Sequence, residues 1–402
     1  MRRVASVRRM KSLSQSPSDP GFVQNPYPFY DTARQAGDLF YWADYGMVAA
    51  VSCHAVRTLL KDRRFGREVP PEHATQGPAH LAPWLSVEAH SLLEAEPPRH
   101  TRLRALVMRA FTSRAISALQ PSIETLCHDL IRDFPQEPFD LLHAYCTQVP
   151  VITICRLLGV PEDMAPDLLR WSHDMVAMYQ ANRTRDTEDE AAQSAQEFTA
   201  FLERYIDQRR RDPRDDLITR LISAEEEGEK LSRDELVATC ILLLNAGHEA
   251  TVHSLGNGLK TLLETHTGPS VLRPDKIDAT IEEILRYDPP LHMFTRYAYE
   301  EVEIFGHTFK RGDQVALLLG GANRDPTVWN EPNTFRPARS IDVNTSFGGG
   351  IHFCVGAPLA RLEMRIALPI LFDTCPNLRL AAPPTYSDSY HFHGLDQVLV
   401  HI

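Results

Sequence analysis

The sequence predicts a mainly α-helical protein with small β-sheets. Three observations predict it. Apolar residues recur at helical spacing through most of the chain. Strand-like runs are few and short. One proline-free stretch, from Arg233 to about His266, is long enough to cross most of a domain at about 1.5 Å per residue.

Taken in order, residues 1–20 are basic and Ser-containing but lack the apolar core of a secretory signal. They read as a disordered tail, with a mitochondrial presequence as the lesser alternative. Residues 21–402 form the folded body. "MVAAVS" at 47–52 is a strand. The stretch 66–100, rich in Pro and His, reads as a long loop, and loops of that length in folded chains usually serve function. Helical spacing follows over 102–134, broken at Pro121, then over 168–179 and 198–206. Pro269 and Pro274 close the long helix. "EVEIFG", "QVALLLG" and the C-terminal "QVLVHI" are short strands. After Pro358, which suits a helix's first turn, Leu359, Leu362, Ile366 and Ile370 share one helical face. Pro369 is expected to kink or end that helix early.

Composition excludes several classes. A net charge of −11 gives nucleic-acid binding no global support. No run of eighteen apolar residues exists, so no membrane anchor is expected. Seven cysteines, an odd number without a C-x-x-C pair, argue against a disulfide framework and a Cys-rich zinc site, and favour a cytoplasmic chain. Six read as inert buried thiols. Cys354 is the exception.

Cys354 lies in "FGGGIHFCVG", residues 347–356. Glycines without a Cβ let backbone approach a flat surface. The cysteine immediately precedes a helix N-terminus, whose dipole and free N–H groups favour a thiolate. Such a thiolate suits an axial ligand to heme iron; the plainer alternative is a buried cysteine after a glycine turn. Phe347, Gly348, Gly350, His352, Cys354 and Gly356 together resemble the F-G-x-G-x-H-x-C-x-G heme loop of the cytochrome P-450 family, soluble bacterial type.

The resemblance extends over most of the chain. It implies a cytochrome P-450 fold in which residues 21–402 form one heme-thiolate monooxygenase domain, with the long helix crossing over heme b (iron protoporphyrin IX). In "EEILRY", Glu283 and Arg286 match the family's E-x-x-R helix, and Arg336 in "NTFRPARS" is matched to the third member of its buried Glu–Arg–Arg network, a support for the heme loop. His100, Arg104, Arg296 and His352 are matched as partners of the heme propionates, for which cationic and imidazole donors are suited. "LLLNAGHEAT" resembles the family's oxygen-binding groove. There Gly247 would permit a local widening of the helix, and Glu249 matches the family acid. The family's next residue is usually Thr; here it is Ala250, with Thr251 one place on and about 100° around the helix. Three readings stand: a substrate hydroxyl or ordered water supplies the missing group, Thr251 serves after a helix distortion, or coupling is poor. The first is favoured.

The resemblance further implies hydroxylation with dioxygen, and electrons from a separate ferredoxin and ferredoxin reductase docking near Arg102, Arg109, Arg361 and Arg365. The substrate is expected to be a lipophilic small molecule (terpenoid, steroid, polyketide or aromatic). Its contacts by position are loop 66–100, Met175, Met178, Tyr179, Leu243, Ala246, Ala250, Leu291, His292, Met293, Phe294, Tyr390, His391 and Phe392. His391 and His393 are read as turn residues. The alternatives are a peroxide-driven peroxygenase of the same fold and a non-catalytic heme or ligand-binding protein.

Overall fold

The long helix forms where its caps dictate. Ser232 Oγ accepts the Glu235 N–H while the Glu235 carboxylate accepts the Ser232 N–H at 2.9 Å, a reciprocal box that satisfies two orphan donors. From there the helix runs Arg233–Glu264. Helices Ala82–His90, Gln148–Leu158, Ala165–Val176, Arg185–Arg211, Ile277–Tyr287 and Ala357–Thr374 pack against it. Their apolar faces merge into one large core. This computed structural model describes residues 10–180, 183–224, 228–340 and 344–402.

A six-stranded sheet flanks the helical part. Its order is Ser12–Leu13, Leu39–Trp42, Met47–Ala50, Gln314–Leu318, Met293–Ala298 and Phe65–Gly66. Met47–Ala50 pairs parallel with Gln314–Leu318, which pairs antiparallel with Met293–Ala298. Two small sheets complete the described part: Arg379–Leu380, Leu399–His401 and Phe139–Asp140 in one, Val302–Ile304 with His307–Phe309 in the other. No described helix is long and apolar enough to cross a membrane.

Several expectations need correction. The tail reading fails for residues 10–20: Ser12–Leu13 is a paired strand, and Ser14 and Gln15 bond to Asp44. Residues 1–9 lie outside the described residues. The stretch 66–100 is not all loop. It contains the helix Ala82–His90, missed because Leu85 and Val87 do not build one apolar stripe. Pro121 does not break a helix; it sits in the first turn of Gln120–Arg132, and the break falls earlier, where Thr112 caps Ser113–Ser117. The 198–206 segment is part of a helix over Arg185–Arg211, whose first half buries only Ala191, Ala192, Ser194 and Ala195, too small to register as an apolar face. Pro369 does not end its helix, which continues to Thr374. An interior proline costs about 3 kcal/mol. Leu368 and Leu371 on either side are fully buried, and each buried leucine contributes about 1.5–3 kcal/mol, which outweighs it.

Candidate functional site

Cys354 emerges from a turn built by two left-handed glycines, Gly348 (φ 69°) and Gly350 (φ 67°). A Cβ on Gly350 would lie 2.4 Å from the Leu60 carbonyl oxygen, and one on Gly348 would lie 3.1 Å from the Phe294 ring. These glycines therefore serve the turn and its close seat on Leu60 and Phe294, rather than only a flat surface as expected. The Cys354 N–H donates to the Phe347 carbonyl at 3.1 Å, closing the loop. The Arg361 guanidinium lies 4.5 Å from the Phe347 ring centroid. Burial pushes the Cys354 thiol up, against the backbone N–H groups of Gly356 and Ala357 and the charges of Arg104 and Arg361, which pull it down. A bound cation such as iron tips a thiol so placed to thiolate.

The loop is anchored by the buried ion pair. Glu283 and Arg286 are fully buried and doubly bonded at 2.7 and 2.8 Å. Arg286 also donates to the carbonyls of Asn323 and Pro332, both at 2.9 Å. Asn323 in turn holds Thr345 and Ser346, directly before Phe347. The third arginine is Arg339, a correction that follows from geometry. Its Nε lies 3.2 Å from Glu283, with the side chain 9% exposed. Arg336 offers Glu283 only its backbone N–H, and its side chain turns outward to Glu331. The two candidates stand three positions apart, so chain position alone could not choose between them.

The expected propionate partners divide. Arg296 is 1% exposed, and among the described residues its guanidinium donates only to the Thr295 carbonyl and pairs with no carboxylate. Burial and the nearby charge of Arg67 bring it down to about 10, despite Glu94 and Glu96. A buried cation without a counter-ion fits an anionic propionate. His100 is buried, brought down to about 4 chiefly by that burial, and packs 4.4 Å from the His352 ring. His352 is held by Glu96 at 2.8 Å, and Arg104 donates to the Phe353 carbonyl at 2.7 Å, where it braces the cysteine loop. Sequence reading missed Arg67 and Glu96, which reach this cluster from the stretch taken as a loop.

On the long helix, Leu243 and Ala250 are half-buried and Ala246 is exposed, between the buried runs Leu236–Ile241 and Thr251–Val252. Spaced i, i+3 and i+7, they form one open face. A helix this buried, opening at alanines, fits a flat cofactor and its small ligand. Thr251 is 4% exposed and lies about 100° round the helix from Ala250, on a packed side with Leu244, His248 and Leu255. The helix keeps an α-helical pattern from Arg233 to Glu264, with no π or 3-10 turn at Gly247 to bring Thr251 round to the open face. Gly247 instead permits close packing: a Cβ there would meet Ile154 at 3.0 Å.

Glu249 points away from that face into three imidazoles. His173 and His248 Nε2 each lie 3.4 Å from its Oε2, and His253 Nε2 lies 3.5 Å from its Oε1. Burial pushes the Glu249 carboxyl up, but the imidazoles outweigh it and hold the group well below the usual carboxylate range.

Among the expected substrate contacts, Leu291, Phe294, His391 and Phe392 are half-buried, and Leu291 bridges to Phe392. His292, Met293 and Tyr390 are corrections. They are buried under the sheet, where the Tyr30 hydroxyl bonds both His292 at 2.9 Å and Tyr390 at 2.8 Å. His393 lies in the C-terminal turn region as expected, but inside the protein. It is 1% exposed, stacked on Tyr386 and 3.4 Å from Asp288. Met175 and Met178 are buried, Met178 against Leu81 and Ala191. Tyr179 donates to Glu88, whose carboxyl burial pushes up to about 7. A groove of 810 Å³ along the large sheet, lined by Met47, His73 and Tyr297 among others, draws Val69, His73, Ala74 and Thr75 from the expected stretch 66–100 but none of the other expected contacts. The expected cationic face is largely offset: Arg102 pairs with Glu235 and Glu229, Arg361 with Glu282 and Arg365 with Asp278, while Arg109 is exposed on the helix of Arg102.

Comparisons with known proteins show the family and the fold. A family model described as Cytochrome P450 matches residues 29–267 and 277–376. The chain is 35% identical over 398 residues to the biotin biosynthesis cytochrome P450 of Bacillus subtilis (strain 168), covering 97% of this chain and 99% of that protein. It is 39% identical over 387 residues to the polyketide biosynthesis cytochrome P450 PksS of the same organism, covering 93% and 94%. The crystal structure of P450BioI in complex with acyl carrier protein ligated to hexadec-9Z-enoic acid superposes with a TM-score of 0.90 at 32% identity, over 96% of this chain and 100% of that one. A myxobacterial cytochrome P450 in complex with myristic acid superposes with a TM-score of 0.85 at 33% identity, over 95% and 97%.

Proposed function

This chain belongs to the cytochrome P450 family of heme-thiolate monooxygenases, and from that premise we propose that it hydroxylates a lipophilic, partly oxygenated small molecule, with Cys354 as the iron ligand and electrons from a separate ferredoxin and its reductase. The observation that carries this reading is the open face of Leu243, Ala246 and Ala250 midway along a helix whose flanking stretches are largely buried. Named relatives give the lipophile its support: polyketide and biotin biosynthesis proteins and a complex with myristic acid.

The heme supplies one-electron and dioxygen chemistry when bound. The chain's own residues do the rest. Gly356 and Ala357 N–H groups and the charges of Arg104 and Arg361 stabilise negative charge on the Cys354 sulfur. Arg296 and His100 offer donors to propionates. Leu243, Ala246 and Phe294 exclude water from the reacting C–H bond. No described side chain on the open face bears the hydroxyl that the family carries at position 250, so the substrate's own hydroxyl, or water bound to it, holds the proton there.

Two substitutions test this. Thr251→Val is expected to leave the ratio of product formed to reduced nicotinamide consumed unchanged, because Thr251 faces the packed side. Ala250→Thr is expected to lower turnover of the native substrate by displacing its hydroxyl; a rise in the product ratio would overturn substrate assistance. Assaying candidate lipophiles with ferredoxin and reductase, with peroxide, and with neither separates the proposed monooxygenase from a peroxygenase and from a ligand-binding protein. Turnover supported only by peroxide would overturn the ferredoxin reading.

A further inference from the structure

We infer a second metal site, distinct from the heme, in which His173, His248 and Glu249 bind a divalent transition-metal ion of the zinc type between helix Ala165–Val176 and the long helix. The His173 Nε2, His248 Nε2 and a Glu249 carboxylate oxygen all lie within 4.8 Å of one another. Both nitrogens are 3.4 Å from Oε2. That is long for a charge-assisted N–H···O bond, which runs about 2.7–2.9 Å. Those two edges match a metal tetrahedron, where bonds of about 2.0–2.1 Å set neighbouring ligand atoms about 3.3–3.4 Å apart.

The buried histidine supplies an independent observation. His248 Nδ1 lies 2.8 Å from the Leu244 carbonyl, an acceptor, so Nδ1 must carry the proton. In the neutral ring the Nε2 lone pair then faces Glu249. The His248 side chain is 4% exposed, and neither its Nε2 nor Glu249 Oε2 has a hydrogen-bond partner. Two such acceptors facing each other in a buried place need a cation between them, either a proton, through which the imidazole favours the carboxylate, or a metal ion. A backbone carbonyl on the second ring nitrogen is also the arrangement that orients a metal-ligating histidine. His253 Nε2, 3.5 Å from the other carboxylate oxygen, steadies Glu249 from below.

Ligand chemistry selects the ion. Two imidazoles and one carboxylate suit zinc, nickel or copper rather than magnesium or calcium. One carboxylate with neutral rings leaves a single negative charge, favourable to a dication. An entry path exists: the His173 side chain is 58% exposed, and it lines a 170 Å³ pocket with Glu249 and His253. Because the ligands come from two helices, the ion would clamp them together and hold the Glu249 carboxylate.

The test uses the heme-loaded protein, treated with chelator and then dialysed against zinc chloride, with zinc per heme measured by mass spectrometry. One zinc per chain is expected, with a raised melting temperature, and no equivalent effect of calcium. His173→Ala should weaken zinc binding by at least about tenfold, as even loss of an outer-sphere partner does, and should remove the melting shift. Its heme spectrum reports that it is folded, since His173 is an exposed residue. His128→Ala, an exposed histidine elsewhere, should bind as the parent does. Equal zinc binding by the parent and His173→Ala, or no zinc above the heme iron in the parent, would overturn the site and leave a proton as the cation between His248 and Glu249. Neither outcome requires turnover, so the result is independent of the proposed monooxygenase reaction.

Discussion

Replacing Cys354 by serine is expected to abolish the strongly red-shifted Soret band of the reduced, carbon monoxide-bound protein, together with monooxygenase turnover. Serine keeps the side chain's size and the loop's backbone bonds, including the one from residue 354 to the Phe347 carbonyl. What it removes is the acidity and softness of sulfur. A hydroxyl in the same place does not ionise where a thiol does, even with the N–H groups of Gly356 and Ala357 directed at it. The remaining cysteines offer no substitute. Burial pushes Cys127 up to about 11 and Cys155 and Cys240 up to about 12. They lie in the helical core, away from the glycine turn. The melting temperature of the heme-free serine variant should stay close to that of the heme-free parent, which separates loss of ligation from loss of fold. A serine variant that keeps the band would show that another group ligates the iron.

Removing Arg286 is expected to do the greatest damage to the fold. Arg286→Ala strips Glu283, at 0% exposure, of its doubly bonded partner, leaving it only the single contact with Arg339 and the Arg336 N–H, and frees the carbonyls of Asn323 and Pro332. Breaking a buried pair in this way costs about 3–5 kcal/mol, out of a total stability of about 5–15 kcal/mol. Because Asn323 holds Thr345 and Ser346, the loss reaches the cysteine loop, and poor heme loading should accompany a lowered melting temperature. Arg286→Lys keeps the charge but not the forked contacts, so it should fall between the parent and Arg286→Ala. The same assay decides between the two later arginines. Arg339→Ala removes a nearly buried partner of Glu283 and should destabilise clearly. Arg336→Ala breaks an exposed pair with Glu331, worth at most about 1 kcal/mol. Equal losses at the two positions would contradict the assignment of the network to Arg339.

Residues whose role depends on neighbours in the chain are readable from the sequence. The turn before Cys354 needs Gly348 and Gly350 in the left-handed region, and Pro358 sits in the first helical turn as expected. The long helix begins at its capping box and ends within two residues of its predicted end. Residues whose role depends on distant partners are not readable in this way. His292 and Tyr390 look like lining residues by position, yet Tyr30, far away in the chain, draws both into a buried hydrogen-bond network. Glu249 matches a groove acid by its motif, but His173 comes to it from a helix some seventy residues earlier.

The division follows from what each kind of information contains. By itself the sequence determined the helical class, the glycine turn that presents one cysteine and the helix that follows it, because these rest on backbone sterics and periodicity within a few residues, while the missing hydroxyl at Ala250 was legible only through the family resemblance. Tertiary structure decided which arginine meets Glu283, which face of the long helix stays open and what surrounds Glu249. Those depend on the packing of helices far apart in the chain, where a three-residue choice or a 100° rotation turns a charge from solvent to core.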